Sequence, residues 1–143
     1  MALQIGDNCP AFKLANQFGE FIDSSNFIGT KNLVFYFYPK DDTPGCTKEA
    51  CSFRDSYEEF KDLGCEVLGI SSDSVEDHKK FAEKYRLSFN LLADTSKELR
   101  KAFGVPGNLF GLIPGRVTYI IDLKGKIRGV YNSQTNPLGH IEQ

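Results

Sequence analysis

Three runs of apolar, aromatic and β-branched residues stand out along the chain: "NLVFYFYP" at 32–39, "CEVLGIS" at 65–71 and "RVTYIID" at 116–122. Runs of this length with almost no polar alternation suit strands buried on both faces of a sheet. Ahead of them, "AFKLANQFGEFIDSS" places apolar residues on both sides of a Gly-containing turn and reads as an N-terminal β-hairpin. Beyond the third run, "LKGK" turns the chain into "IRGVYN", an expected antiparallel partner.

Helical signals fall between the strands. Thr43-Pro44 reads as an N-cap followed by proline at the first helical position, and Gly64 suits the far end, which predicts a helix over Pro44 to Leu63. "DSVEDHKKFAEKY" opens with Asp73 as cap and Glu76 three residues on, the capping-box spacing. "SKELRKAF" reads as a shorter helix ending at Gly104. Strands alternating with helices, plus a closing hairpin, predict an α/β domain with a central mixed β-sheet flanked by helices. Without an internal repeat or linker, residues 1–143 read as one domain. The chain stops at "PLGHIEQ", where a further helix would begin, so its last element reads as cut short.

Composition narrows the function classes. A hydrophobic share of 41%, a charged share of 25% and a formal charge of -2 suit a globular protein and give no nucleic-acid or membrane surface. No apolar run reaches the length of a bilayer span, and "MALQIGDNCP" lacks the basic and apolar regions of a signal peptide. The four cysteines are too sparse for a disulfide-built scaffold, which points to a reducing compartment. The cytoplasm is the expected location, or a plastid if the chain is a processed precursor.

The chemistry concentrates in "PKDDTPGCTKEACSF", residues 39–53. With Thr43 as N-cap, Cys46 falls at the third helical position, where free N–H groups and the positive dipole end favour a thiolate. Gly45 leaves the sulfur uncrowded. The plainer alternative is a small buried apolar residue near a helix start. Cys51 follows five residues on, which on an intact helix places the two Cα atoms ~8.7 Å apart. A disulfide needs less than about 7 Å, so the pair could bond only if the first helical turns unwind. A zinc site is the competing use, but no second Cys or His pair fills a tetrahedron, and His78, among lysines, and His140, near the end, read as solvated residues. The C-x-x-C of a general disulfide exchanger is absent.

Pro39, Thr43 and Cys46 match the P-x-x-x-T-x-x-C signature of peroxiredoxins, and "DDTPGCTKEACSFRD" resembles the Q-type, or bacterioferritin comigratory, branch. The resemblance continues through "VLGISSDSVEDHKKFAEKY", "FNLLAD" and "PGRVTYIID" and covers nearly the whole chain. It implies a thioredoxin-like fold and a thiol-dependent peroxidase acting on hydrogen peroxide and alkyl hydroperoxides without metal, haem or other cofactor. Carried over, Cys46 is the nucleophile and Thr43 offers its hydroxyl to thiolate and peroxide. Pro39 shields the pocket from water, and Arg116 supplies positive charge. Cys51 resolves the Cys46 sulfenic acid as a disulfide that thioredoxin or a similar reductant opens, in a protein that works as a monomer.

Read without the resemblance, Arg116 is an ordinary surface ion-pair residue, Thr43 a helix cap and Pro39 a strand terminator. Cys65 and Cys9 read as structural, and "FNLLADTSKELRKAFGV" is given no chemistry. Two other functions use the same thiols: a redox-responsive binding protein in which unwinding exposes a partner surface, and a thiol–disulfide oxidoreductase acting on proteins.

Overall fold

A computed structural model describes residues 3–104, 107–108, 113–114 and 117–131. The chain opens with the expected hairpin, β1 (Lys13–Ala15) against β2 (Phe21–Asp23). β3 (Asn32–Phe37) leads into α1 (Pro44–Asp62), and β4 (Cys65–Ser71) into α2 (Val75–Tyr85). β5 (Asn90–Ala93) precedes the short α3 (Glu98–Phe103). Two two-residue strands, β6 (Gly107–Asn108) and β7 (Ile113–Pro114), pair with each other. β8 (Val117–Ile121) and β9 (Ile127–Tyr131) form the closing antiparallel pair. The main sheet has the order β5-β4-β3-β8-β9, with β3 parallel to β4 and antiparallel to β8. This is the mixed α/β sheet expected from the strand–helix alternation.

β3 is central, and its unbroken apolar run has a simple cause: strand side chains alternate between faces, and here both faces are covered. Leu33, Phe35 and Phe37 pack with Phe12, Leu99, Phe103 and Tyr119 on one side. Val34, Tyr36 and Tyr38 pack with Ala50 and Phe53 of α1 and Phe81 and Ala82 of α2 on the other. Each fully buried side chain of this size contributes about 1.5–3 kcal/mol relative to exposure. The second cluster includes Cys46, so the reactive end of α1 is seated on the sheet.

Two helix starts differ from expectation. Ser74, not Asp73, caps α2, its hydroxyl accepting from the Asp77 N–H at 3.1 Å. The Asp73 carboxylate turns the other way, accepting from the Ser71 hydroxyl at 2.6 Å and the Asp41 N–H at 2.8 Å. Thr43 does occupy the N-cap position of α1, but its side chain makes no cap hydrogen bond and donates to the Lys40 carbonyl at 3.0 Å. The expected cut-short C-terminal helix and His140 lie outside the described residues. No helix among the described residues is long and apolar enough to cross a membrane.

Gly69 of β4 admits the Tyr36 ring: a Cβ there would lie 2.8 Å from the ring Cζ and 3.0 Å from Leu91 Cδ2. Tyr36 has little room to move, stacked on Phe53 at 4.6 Å and on Tyr38 at 5.3 Å. Gly69→Ala is therefore expected to destabilise the fold by about 1–3 kcal/mol through overpacking. Urea unfolding measures this, and an unchanged midpoint would contradict the packing described.

Candidate active site

Both cysteines of the central motif lie on one unbroken helix, and none of the four cysteines forms a disulfide in this structure. Cys46 is in the first turn of α1, 1% exposed, while Cys51 is only half-buried. The intact helix keeps them beyond bonding reach, ~8.7 Å between Cα atoms at this spacing. Proline at the first helical position removes a donor that would have no helical partner anyway, and the remaining first-turn N–H groups point at the Cys46 end.

The approach to this turn runs through residues 39–43, which are held from several sides. The Tyr38 carbonyl accepts from Arg100 Nη2 at 3.0 Å. Asp41 lies 8% exposed; its Oδ1 accepts from the Tyr38 hydroxyl at 2.5 Å and its Oδ2 faces His78 Nδ1 at 2.6 Å. Asp42 adopts a left-handed backbone at φ 59, with its carboxylate accepting from Lys84 Nζ at 2.9 Å and the Tyr85 hydroxyl at 2.7 Å. Those two donors hold the Asp42 carboxyl below the usual carboxylate range, first through Lys84 and then Tyr85.

Downstream, α1 is anchored again. Phe53 is fully buried, and Arg54 Nη1 donates to the Tyr85 carbonyl at 2.7 Å. The Tyr57 hydroxyl donates to Glu66 Oε1 at 2.5 Å. Tyr85 thus touches both flanks of the cysteine segment, Asp42 through its hydroxyl and Arg54 through its carbonyl.

Several site residues differ from the sequence reading. His78 is fully buried rather than solvated, because it shares the inward face of α2 with Phe81 and Ala82 at helical spacing. The lysines beside it occupy the outward face. Arg100 was given no chemistry, yet it is a buried cation, its guanidinium 5.5 Å from the Phe37 ring centroid. Burial pulls it below the ordinary arginine value, opposed by Asp94, Tyr119 and the Cys46 sulfur, so it shares an electrostatic environment with the thiol. Its legible signal is the triplet Leu99, Arg100, Phe103, which puts the arginine on the buried side of α3. Glu49, fully buried one turn beyond Cys46, is a further polar group of this region. Arg116 lies outside the described residues.

Asp41, Asp73 and His78 bring three potential metal-ligand atoms within 4.8 Å of one another. The converging atoms already have partners: His78 Nε2 meets the Leu92 carbonyl at 3.0 Å and Nδ1 meets Asp41, while Asp73 Oδ2 accepts two hydrogen bonds. The arrangement is a closed hydrogen-bond network rather than a cradle for an ion.

Residues 5–130 match the AhpC/TSA family, and the chain belongs to that family. It is similar to chloroplastic peroxiredoxin Q of Populus jackii, 53% identical over 138 residues that span 96% of this chain and 64% of that protein. Chloroplastic peroxiredoxin Q of Sedum lineare is 54% identical over 138 residues, 96% of this chain and 74% of that one. The chain thus spans less than two thirds of the Populus jackii protein and 74% of the Sedum lineare one, and 60% of chloroplastic peroxiredoxin Q of Triticum aestivum. Among solved structures, peroxidoxin BcpB of Mycobacterium tuberculosis superposes with a TM-score of 0.90 at 37% identity, covering 98% of this chain and 92% of that one. A mutant of Xylella fastidiosa PrxQ gives 0.90 at 30% identity, covering 99% and 93%. The fold is therefore the thioredoxin-like fold of the peroxiredoxins.

The remaining cysteines look structural here. Cys9 packs against the cluster around Phe12 and Ile127, and burial pushes its thiol up to about 12. Cys65 packs against the opposite cluster, and burial raises its thiol too. At pH 8 only about one Cys9 in ten thousand would be thiolate. Iodoacetamide mapping at that pH is expected to leave Cys9 unlabelled in folded protein and to label it in urea; equal rates in both would contradict its burial.

Proposed function

We propose that the chain is a thiol-dependent peroxidase with Cys46 as nucleophile and Cys51 as resolving thiol. The observation that carries this reading is the placement of both on α1, one buried in its first turn and the other half-buried five residues on. The Cys46 thiolate attacks one oxygen of a hydroperoxide, the O–O bond breaks, and the departing alkoxide or hydroxide takes a proton. Cys46 leaves as sulfenic acid. The Cys51 thiol then attacks that sulfur, water departs, and a disulfide forms once the first turns of α1 have unwound.

The surroundings support roles for the motif residues. Pro39 and the aromatic cluster behind Cys46 keep water from the thiolate. The Thr43 hydroxyl donates to the Lys40 carbonyl, which supports a role in which its oxygen accepts from the peroxide. Arg116 supplies positive charge to the breaking bond, and buried Arg100 adds to the field at the thiolate. The AhpC/TSA family membership and the solved bacterioferritin comigratory protein of Xanthomonas campestris, whose structures concern alkyl peroxide reduction, favour hydrogen peroxide and alkyl hydroperoxides as substrates.

Thioredoxin or a related dithiol is the proposed reductant. Since one chain carries both thiols on one helix, a monomer suffices as the working unit. The chloroplastic relatives favour a plastid over the cytoplasm as the site of action.

Cys46→Ser is expected to abolish peroxide consumption. Cys51→Ser is expected to allow a single oxidation per chain and then to stall with thioredoxin and its reductase present. Stopped-flow peroxide consumption and coupled NADPH oxidation measure the two effects. Full activity in Cys46→Ser would overturn the assignment.

A further inference from the structure

The Asp41–His78 contact holds a proton that the surrounding groups account for. The Leu92 carbonyl can only accept, so His78 Nε2, 3.0 Å away, carries a hydrogen. The Tyr38 hydroxyl supplies its own hydrogen to Asp41 Oδ1. Between His78 Nδ1 and Asp41 Oδ2, 2.6 Å apart, one more hydrogen is required, because two bare lone pairs would repel at that distance. Whichever atom holds it, the histidine and the carboxyl together carry no net charge. Both side chains are nearly or fully buried, 0% and 6% exposed.

Without that proton, Asp41 would be a buried anion in the loop that delivers Cys46. Tyr38 connects the two regions: it belongs to the apolar cluster that contains Cys46, and its hydroxyl donates to Asp41. A bare carboxylate there would oppose formation of the thiolate, since like charges in a low-dielectric setting disfavour each other. The other groups near Asp41 do not replace the proton. Asp73, on the loop before α2, meets the Asp41 N–H and is itself acidic. The cavity at the outer side of Asp41 is bordered by Lys40, Asp42, Asp77, Lys80 and Lys84. Of these cations, Lys84 already serves Asp42, and among the described residues neither Lys40 nor Lys80 makes an ion pair or hydrogen bond with Asp41.

We propose that His78 is a positioning residue of the peroxide-reducing site: through Asp41 it fixes the loop before α1 and cancels the carboxylate charge that would otherwise oppose the Cys46 thiolate. It touches no reacting atom. The inference rests on the assignment of Cys46 as nucleophile, and it separates two effects that a merely structural histidine would merge.

The test compares His78→Gln with the double variant Asp41→Asn/His78→Gln, reading thiolate ultraviolet absorbance at neutral pH and the rate of sulfenic acid formation with hydrogen peroxide. In His78→Gln the thiolate signal is expected to fall, and the rate with it, roughly tenfold, the order of effect of an uncancelled like charge in a low-dielectric setting. The double variant removes the carboxylate charge, so its thiolate signal should return to the wild-type level while the rate recovers only in part, because the loop stays loosened. A wild-type signal in His78→Gln, or a signal equally depressed in both variants, would overturn the proposal. If His78→Gln does not fold, His78→Asn carries the same test, since its amide is also unable to supply a proton that cancels the Asp41 charge; its thiolate signal must fall. A Cys46→Ser variant that still consumes peroxide would instead overturn the nucleophile assignment and leave the proton inventory standing.

Discussion

An α-helix cannot bring residues five apart into bonding contact: ~8.7 Å separates their Cα atoms, against the ~7 Å limit of a disulfide. Two thiols at that spacing on α1 are therefore held apart by the helix that presents them. While the helix stands, Cys46 keeps its buried first-turn site and its access to free N–H donors. When the first turns open, the same five residues become a short tether on which Cys51 can reach it. The reactive state and the resolving state of the proposed cycle are thus two conformations of one segment.

The rest of the fold limits how far that opening can spread. On the entry side, Asp41 is tied to Tyr38, Asp73 and His78, and Asp42 to Lys84 and Tyr85. On the far side, Phe53 is stacked on Tyr36 and Arg54 bonds the Tyr85 carbonyl. Helix α2 therefore grips both flanks of residues 43–52. β3 provides the ground for all of this: its even-numbered side chains support α1, and the loop that begins α1 leaves from its end. Strain from the opening would meet a close-packed aromatic layer with little capacity to yield.

Much of this was legible in the sequence. The strand runs, the N-terminal hairpin, the three helices and the closing β8–β9 pair follow from apolar patterning and punctuation by Gly and Pro, and Cys46 and Cys51 stand out by spacing alone. β5 was harder: its four residues are too few to separate a buried strand from other apolar segments. Two of the misread residues share one cause. Asp73 and His78 each have a local reading, as cap and solvated side chain, and each was recruited by a partner distant in sequence, whereas Thr43 keeps the N-cap position and only turns its hydroxyl to the nearby Lys40 carbonyl. Asp73 meets Asp41, thirty-two positions away, and His78 meets the same residue across thirty-seven. Arg100 reaches Tyr38 across sixty-two positions. Periodicity shows which face a residue takes, but it does not show which group waits on that face.

The most direct test of the central idea is hydrogen exchange, resolved by peptide, comparing reduced protein with protein carrying a Cys46–Cys51 disulfide. The account predicts that protection is lost between about residues 43 and 52 and retained from Phe53 onward and in α2. A disulfide formed with protection unchanged along α1, or with the whole helix melted to Asp62, would contradict it.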